Sequence, residues 1–85
     1  MTRTKFFNNI LKTTWTNAHI LADWYPELGL GNSLQLLNRC TDKSEAEGVT
    51  DPLHLAAKQL MLMDKLRKAT PRQIKSLANA IGRYS

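Results

Sequence analysis

Cysteine is nearly absent: Cys40 is the only one among 85 residues, so no disulfide can form within the chain. A lone thiol is typical of proteins from a reducing compartment. No stretch approaches the roughly 20 consecutive apolar residues that span a bilayer. The basic residues before Leu11 are not followed by the apolar core of a signal peptide. We therefore expect a soluble, cytoplasmic protein with no membrane partner.

The sequence also lacks the residue patterns that accompany catalysis or metal binding. The plausible metal ligands show no Cys-x-x-Cys or His-Glu-x-x-His spacing; they are His19, Asp23, Cys40 and His54. Cys40 with a histidine is the one candidate nucleophile–base pair, and nothing in the sequence brings the two together. The glycines at 29 and 31 lack the lysine and the preceding strand of a phosphate-binding loop. We expect no enzymatic activity, no metal and no cofactor.

The periodicity of apolar residues predicts an all-α fold. No segment alternates apolar and polar residues with the two-residue period of a strand. Glycine, proline and capping residues divide the chain into four to five helices. A length of 85 residues indicates a single domain over 1–85, and a chain of this size buries only about 60–65% of its unfolded surface.

The first half of the chain predicts one long helical region and one short helix. The first covers about Arg3 to Trp24, with a break allowed at Asn17, because the threonines around Trp15 favour extended chain and asparagine caps helices. The elements expected after it are a loop at Glu27–Asn32, a short helix from Asn32 or Ser33 to Cys40, and a polar loop at Thr41–Val49.

The third helix has the clearest start signal, with Thr50 or Asp51 as its cap and Pro52 in its first turn. It should run to about Lys68. Its wider apolar face, with Leu60 at the centre, comprises Leu53, Ala56, Ala57, Leu60 and Met63. A second apolar face adjoins it, formed by Leu55, Leu62 and Leu66. Together these faces predict a central helix that packs on two sides.

The last helix begins with a capping box at Thr70-Pro71-Arg72-Gln73. Gly82 is the expected C-terminal cap. The inward stripe should consist of Ile74, Leu77, Ala78 and Ile81. Because only Ala69 and its neighbours separate this helix from the previous one, the last two helices should form a tight helical pair.

Acidic residues are scarce in the last third of a chain whose net charge is +5. Seven bases follow residue 57, against Asp64 alone. A solvated face of good helix formers would explain this composition, but such faces usually mix charges of both signs. The bases also suit phosphate contacts, and we expect a nucleic-acid-binding surface, most simply for DNA, at Lys58, Lys65, Lys68, Arg72, Gln73, Lys75, Asn79 and Arg83.

Aromatic residues cluster in the first 25 positions, where core packing is their default role. A thin domain cannot easily bury all of them, so Phe6, Trp15 and Trp24 are candidates for a protein interface. The competing function is therefore a protein-binding adaptor or inhibitor, for which an acidic partner surface would suit the basic patch. Solvent exposure of these three side chains would favour the adaptor. The surplus of apolar faces also predicts a twofold homodimer.

Overall fold

The computed structural model describes the backbone of residues 3–83 and the side chains of residues 10–82. Over that range it is entirely α-helical. The helices are α1 (Arg3–Trp24), α2 (Gly29–Ala46), α3 (Pro52–Arg67) and α4 (Pro71–Arg83). The all-α prediction is confirmed, with four helices and no strand in the described range. None of these helices combines the length and the apolar character needed to cross a membrane.

α1 is continuous, so the break allowed at Asn17 is wrong. The Asn17 side chain is buried, and its Nδ2 donates a hydrogen bond of 2.9 Å to Oε1 of Gln59 in α3. One turn earlier, the Thr14 hydroxyl donates to the carbonyl of Ile10 at 2.7 Å. The hydrogen bonds of these two polar side chains are thus accepted by a neighbouring helix or by the backbone of α1 itself, and neither residue breaks the helix.

α2 is about twice as long as predicted, because both flanking segments expected as loops contribute to it. It begins at Gly29, whose positive φ of 80° suits glycine, and Ser33 Oγ donates to the Gly29 carbonyl at 2.7 Å. At the other end, Thr41 and Ser44 are buried, and Thr41 Oγ1 accepts a hydrogen bond of 2.8 Å from Gln59 of α3. Because both residues are polar, the sequence predicted a loop here, but both belong to the buried side of α2. Gly48, with φ of 94°, follows the end of the helix.

The start of α3 matches the prediction, but only one of its two predicted apolar faces is buried. Asp51 is the cap and accepts a hydrogen bond of 3.1 Å from the Leu53 amide. The second predicted face is the buried one, since Leu55 and Leu66 are buried and Leu62 packs against the core. The wider predicted face is largely on the surface, with Leu53 77% exposed and Leu60 56% exposed. The buried side also includes Gln59, a glutamine that an apolar pattern assigns to the surface.

α1, α2 and α3 pack against one another in pairs. Asn17 pairs with Gln59, and the Tyr25 hydroxyl donates to the Leu66 carbonyl at 2.7 Å, so α1 and α3 run in the same direction. α2 connects their opposite ends and is therefore antiparallel to both. The shared core includes residues from all four helices, namely Ala18, Leu21, Leu37, Met63, Leu66, Ile74 and Ile81, and Leu28 from the turn before α2.

α4 has the predicted capping box. The Thr70 amide donates to Gln73 Oε1 at 2.9 Å, and the Gln73 amide donates to Thr70 Oγ1 at 3.2 Å. Of the expected stripe, Ile74 and Ile81 are fully buried. Gly82 does not end the helix, which continues to Arg83. Three residues link α3 to α4, but the main packing partner of α4 is α2, so a tight α3–α4 pair is not confirmed.

Candidate functional site

Two stripes of apolar side chains run side by side along α1 and α3. In α1, Ile20 and Trp24 lie one turn apart on one side of the helix. In α3, Leu53 and Leu60 are seven residues apart and so share one side of that helix. We call these four residues the α1–α3 apolar face.

Contacts at both ends show that the two stripes face the same side of the molecule. At the N-terminal ends, Thr13 of α1 and Leu53 of α3 line a common groove of about 420 Å³. At the C-terminal ends, the Arg67 guanidinium lies 4.8 Å from the centroid of the Trp24 ring, a cation–π contact. Leu60 lies on α3 seven residues before Arg67, between these two contacts.

The α1–α3 apolar face is well exposed to solvent. Besides the two leucines, Trp24 is 40% exposed and Ile20 is 37% exposed. Single exposed apolar residues are normal on protein surfaces, but a row of four on adjacent helices is typical of an interaction surface.

The predicted aromatic interface divides into two. Trp15 is 52% exposed, and its ring packs edge-on against His19 with 4.6 Å between centroids. Trp24 is nine positions after Trp15, which on a continuous helix is two and a half turns, so the two side chains point in opposite directions. Leu11, also exposed, shares the side of Trp15. The Phe6 side chain lies outside the described residues.

The predicted basic residues lie on three parts of the fold. Lys58 and Lys65 line a groove between α2 and α3, where Arg39 and Lys43 join them. We call this the α2–α3 groove. Lys68 is exposed directly after α3. On α4, the exposed candidates are Arg72, Gln73, Lys75 and Asn79, whereas the Arg83 side chain is outside the described range.

The structure therefore brings Lys58 and Lys65 together in the α2–α3 groove, and it leaves Arg72, Lys75 and Asn79 exposed on one side of α4. The two further cations of the α2–α3 groove, Arg39 and Lys43, were missed. They are four residues apart, a spacing that places them on one side of a helix, but the sequence predicted that α2 ended before Lys43. The predicted role of Gln73 is also constrained, because its Oε1 already accepts the capping hydrogen bond.

Cys40 lines the α2–α3 groove and is partly buried. Burial raises the pKa of its thiol above the usual range, and the positive charges of Lys58 and Lys43 partly oppose that rise. Both lysines also line the groove. A raised pKa leaves less thiolate at neutral pH, which is the opposite of what an activated nucleophile needs.

The described residues contain no group of three or more histidine, cysteine, aspartate or glutamate side chains that could hold a metal ion. His54 Nδ1 lies 3.5 Å from Asp51 Oδ2, and both side chains are largely exposed. Because Asp51 is the cap of α3, this pair is part of a helix start.

The chain matches no known family model, no curated protein sequence and no solved structure.

Proposed function

We propose that the protein is a non-enzymatic binding protein that docks onto another protein through the α1–α3 apolar face. The observation that carries this proposal is the solvent exposure of Trp24, Leu53 and Leu60 on two helices that run side by side. From the sequence, we expect that exposed aromatic side chains favour an adaptor over a nucleic-acid-binding protein.

Burial of this face by a partner would supply substantial binding free energy. Fully burying a leucine side chain is worth about 1.5–3 kcal/mol, so completing the burial of two leucines at 77% and 56% exposure is worth about 2–4 kcal/mol. Tryptophan and arginine are enriched among the residues that dominate interface energies, and Trp24 and Arg67 already contact each other. The face suits an apolar partner surface with an acidic group opposite Arg67.

The test compares two matched substitutions, Leu60→Asp and Leu11→Asp. Both leucines are exposed to a similar degree, 56% and 60%, but Leu11 lies on the other side of α1. The tagged protein and both variants are used to recover partners from nuclease-treated lysate of cells that express it. We expect a defined protein partner with the wild type and with Leu11→Asp, and its loss with Leu60→Asp.

A homodimer is the simplest form of this proposal, since the partner would then be a second copy of the chain. Sedimentation of the purified protein identifies this case, because Leu60→Asp should then reduce the sedimenting mass and Leu11→Asp should not. If neither variant changes recovery or self-association, the α1–α3 apolar face is not the binding surface.

The second candidate is a nucleic-acid-binding protein, most simply one for DNA. It is favoured by the exposure of Lys68, Arg72 and Lys75 in a stretch where Asp64 is the only acid. Arg72 also lies in the first turn of α4, where backbone amides attract phosphate. Under this proposal, the α4 bases contact phosphates and binding weakens as salt increases.

Titration against duplex DNA at several salt concentrations tests this candidate. The double variant Arg72→Ala/Lys75→Ala should lower the affinity and reduce the salt slope by about 0.9 per lost phosphate contact. Alanine preserves helix propensity, so the variant reports binding separately from folding. Affinity that does not depend on salt, or a variant equal to the wild type, would exclude this role.

Both proposals include a cytoplasmic location, which we infer from the single free thiol.

A further inference from the structure

The α2–α3 groove combines apolar and basic side chains in one lining. It encloses about 370 Å³. Its apolar lining consists of Leu36, Cys40, Met61 and Leu62, and its basic side chains are Arg39, Lys43, Lys58 and Lys65. Among the described residues that line it, Glu47 is the one acid.

Met61 extends this groove along α3. A neighbouring groove of about 360 Å³ is lined in part by Val49, Asp51, His54, Lys58 and Met61, and its one acidic residue among the described ones, Asp51, lies at the end away from Lys65. Because Lys58 and Met61 line both grooves, the two form one continuous trough along the helix. Between His54 and Lys65, α3 advances about 16 Å, the length of roughly three helical turns of a bound peptide.

Met61 lies exposed in this trough, although it is a large apolar side chain. Methionine adapts its shape to different partners and is common at peptide-binding surfaces. Lys58 and Lys65 lie on the same side of α3, three residues before and four residues after Met61. An apolar side chain between two cations suits a ligand that offers an apolar side chain between two anions.

We propose that the α2–α3 groove binds an acidic amphipathic segment of a partner protein. Apolar side chains of that segment would pack on Met61 and Leu62, and its carboxylates would pair with Lys58 and Lys65. This inference rests on the proposed function, because both require a protein partner. It adds a second contact surface and specifies the chemistry of the partner segment that binds there. The pairing is electrostatic and partly exposed, so it weakens as salt increases.

A protein segment fits this groove better than nucleic acid does. The phosphate backbone would satisfy the lysines but leave Met61 and Leu62 without an apolar contact. Nucleic-acid interfaces obtain affinity mainly from phosphate contacts. An acidic segment with apolar residues satisfies both parts of the lining.

The experiment uses a synthetic amphipathic peptide of about four helical turns, with leucine on one face and glutamate on both flanks of that face. A second peptide has glutamine in place of glutamate, and duplex DNA is the third ligand. We expect the acidic peptide to bind at least about tenfold more tightly than the glutamine peptide at low salt. Equal binding of the two peptides, no binding of either, or tighter binding of DNA would overturn the proposal.

Two sets of variants locate the binding. Lys58→Glu/Lys65→Glu should weaken the acidic peptide about tenfold or more. Arg72→Glu/Lys75→Glu has the same net charge but alters only α4, and it should bind as the wild type does. Met61→Ser should weaken the peptide and leave any binding of DNA unchanged. Equal effects of the two charge reversals would assign the attraction to net charge and refute a groove site.

Cys40 provides a readout inside the groove itself. It is the only cysteine in the chain, so an uncharged alkylating reagent reports on this position alone. The bound acidic peptide should slow alkylation in proportion to occupancy, whereas an unchanged rate at saturation would show that the peptide lies elsewhere. If Leu60→Asp abolishes partner recovery while the peptide tests fail, only the groove is refuted. If both fail, the protein-binding function is refuted with it.

Discussion

Replacing Gln59 with methionine should destabilise the protein more than any other isosteric change in α3. Gln59 is completely buried. Its Nε2 donates to Thr14 Oγ1 and Thr41 Oγ1, both at 2.8 Å, and its Oε1 accepts from Asn17. These three bonds join α1, α2 and α3. Methionine has nearly the same volume, so Gln59→Met removes the bonds without opening a large cavity.

The expected loss follows from the groups left without partners. A buried polar group that loses its partner costs about 1–3 kcal/mol. Among the residues that the structure describes, Gln59 is the one partner of the Asn17 amide, whereas the Thr14 hydroxyl still donates to Ile10. We expect Gln59→Met to lower the free energy of unfolding by about 2–4 kcal/mol. In a domain of this size that loss corresponds to a decrease in Tm of roughly 10–25 °C.

Urea unfolding followed by far-ultraviolet circular dichroism measures this change, and a double-mutant cycle with Asn17→Leu isolates the pair. Once Gln59 is gone, removing the Asn17 amide also removes an unsatisfied group, so the double variant should lose at least about 1 kcal/mol less than the sum of the single losses. A Gln59→Met loss below about 0.5 kcal/mol, or strict additivity, would refute the buried network.

Three further changes test other parts of the structure. Leu60→Ala should lower the free energy of unfolding in urea by less than about 1 kcal/mol, because over half of the side chain is already in water. A decrease above about 2 kcal/mol would mean that Leu60 is buried in the core. Thr70→Ala should cost about 1 kcal/mol, since it removes the hydroxyl that accepts from the Gln73 amide; Tm equal to that of the wild type would mean the cap is not formed in solution. Lys58→Glu should slow alkylation of Cys40 near neutral pH, because it replaces a charge that lowers the thiol pKa with one that raises it; a faster reaction would contradict this placement of Lys58.

Features encoded by neighbouring residues were predictable from the sequence. The cap at Asp51 and the box formed by Thr70 and Gln73 depend on side chains within three residues of the amides they accept from, and both are present. The all-α class follows in the same way from local periodicity. Such signals do not depend on how the helices pack.

Features that depend on distant partners were not predictable. From the sequence alone, Asn17 indicates a helix break. The residue that accepts its hydrogen bond inside the helix bundle, Gln59, is 42 positions away. The same glutamine lies on the buried side of α3, next to the second predicted face, and Leu53 and Leu60 on the wider predicted face lie at the surface. The error in the core and the omission of the α1–α3 apolar face therefore have one source, the assignment of the wider apolar face of α3 to the core.

The location of the binding surface was predictable only in part. The exposure of Trp15 and Trp24 agrees with the expectation that an aromatic N-terminal helix has more apolar side chains than the core accepts. Their opposite directions follow from the continuity of α1, which the sequence left open. The basic character of the C-terminal third was evident, but its pairing with Arg39 and Lys43 required the full length of α2.

Site-specific photo-cross-linking tests the central claim, that a partner protein docks on the α1–α3 apolar face. A photoreactive phenylalanine derivative is placed at position 60 in one variant and at position 11 in another, and each is irradiated in cells that express the protein. Both positions are exposed leucines, on different sides of the molecule. We expect a discrete protein adduct from position 60 and none from position 11. Equal adducts from the two positions, or adducts at position 60 that nuclease removes, would contradict the claim.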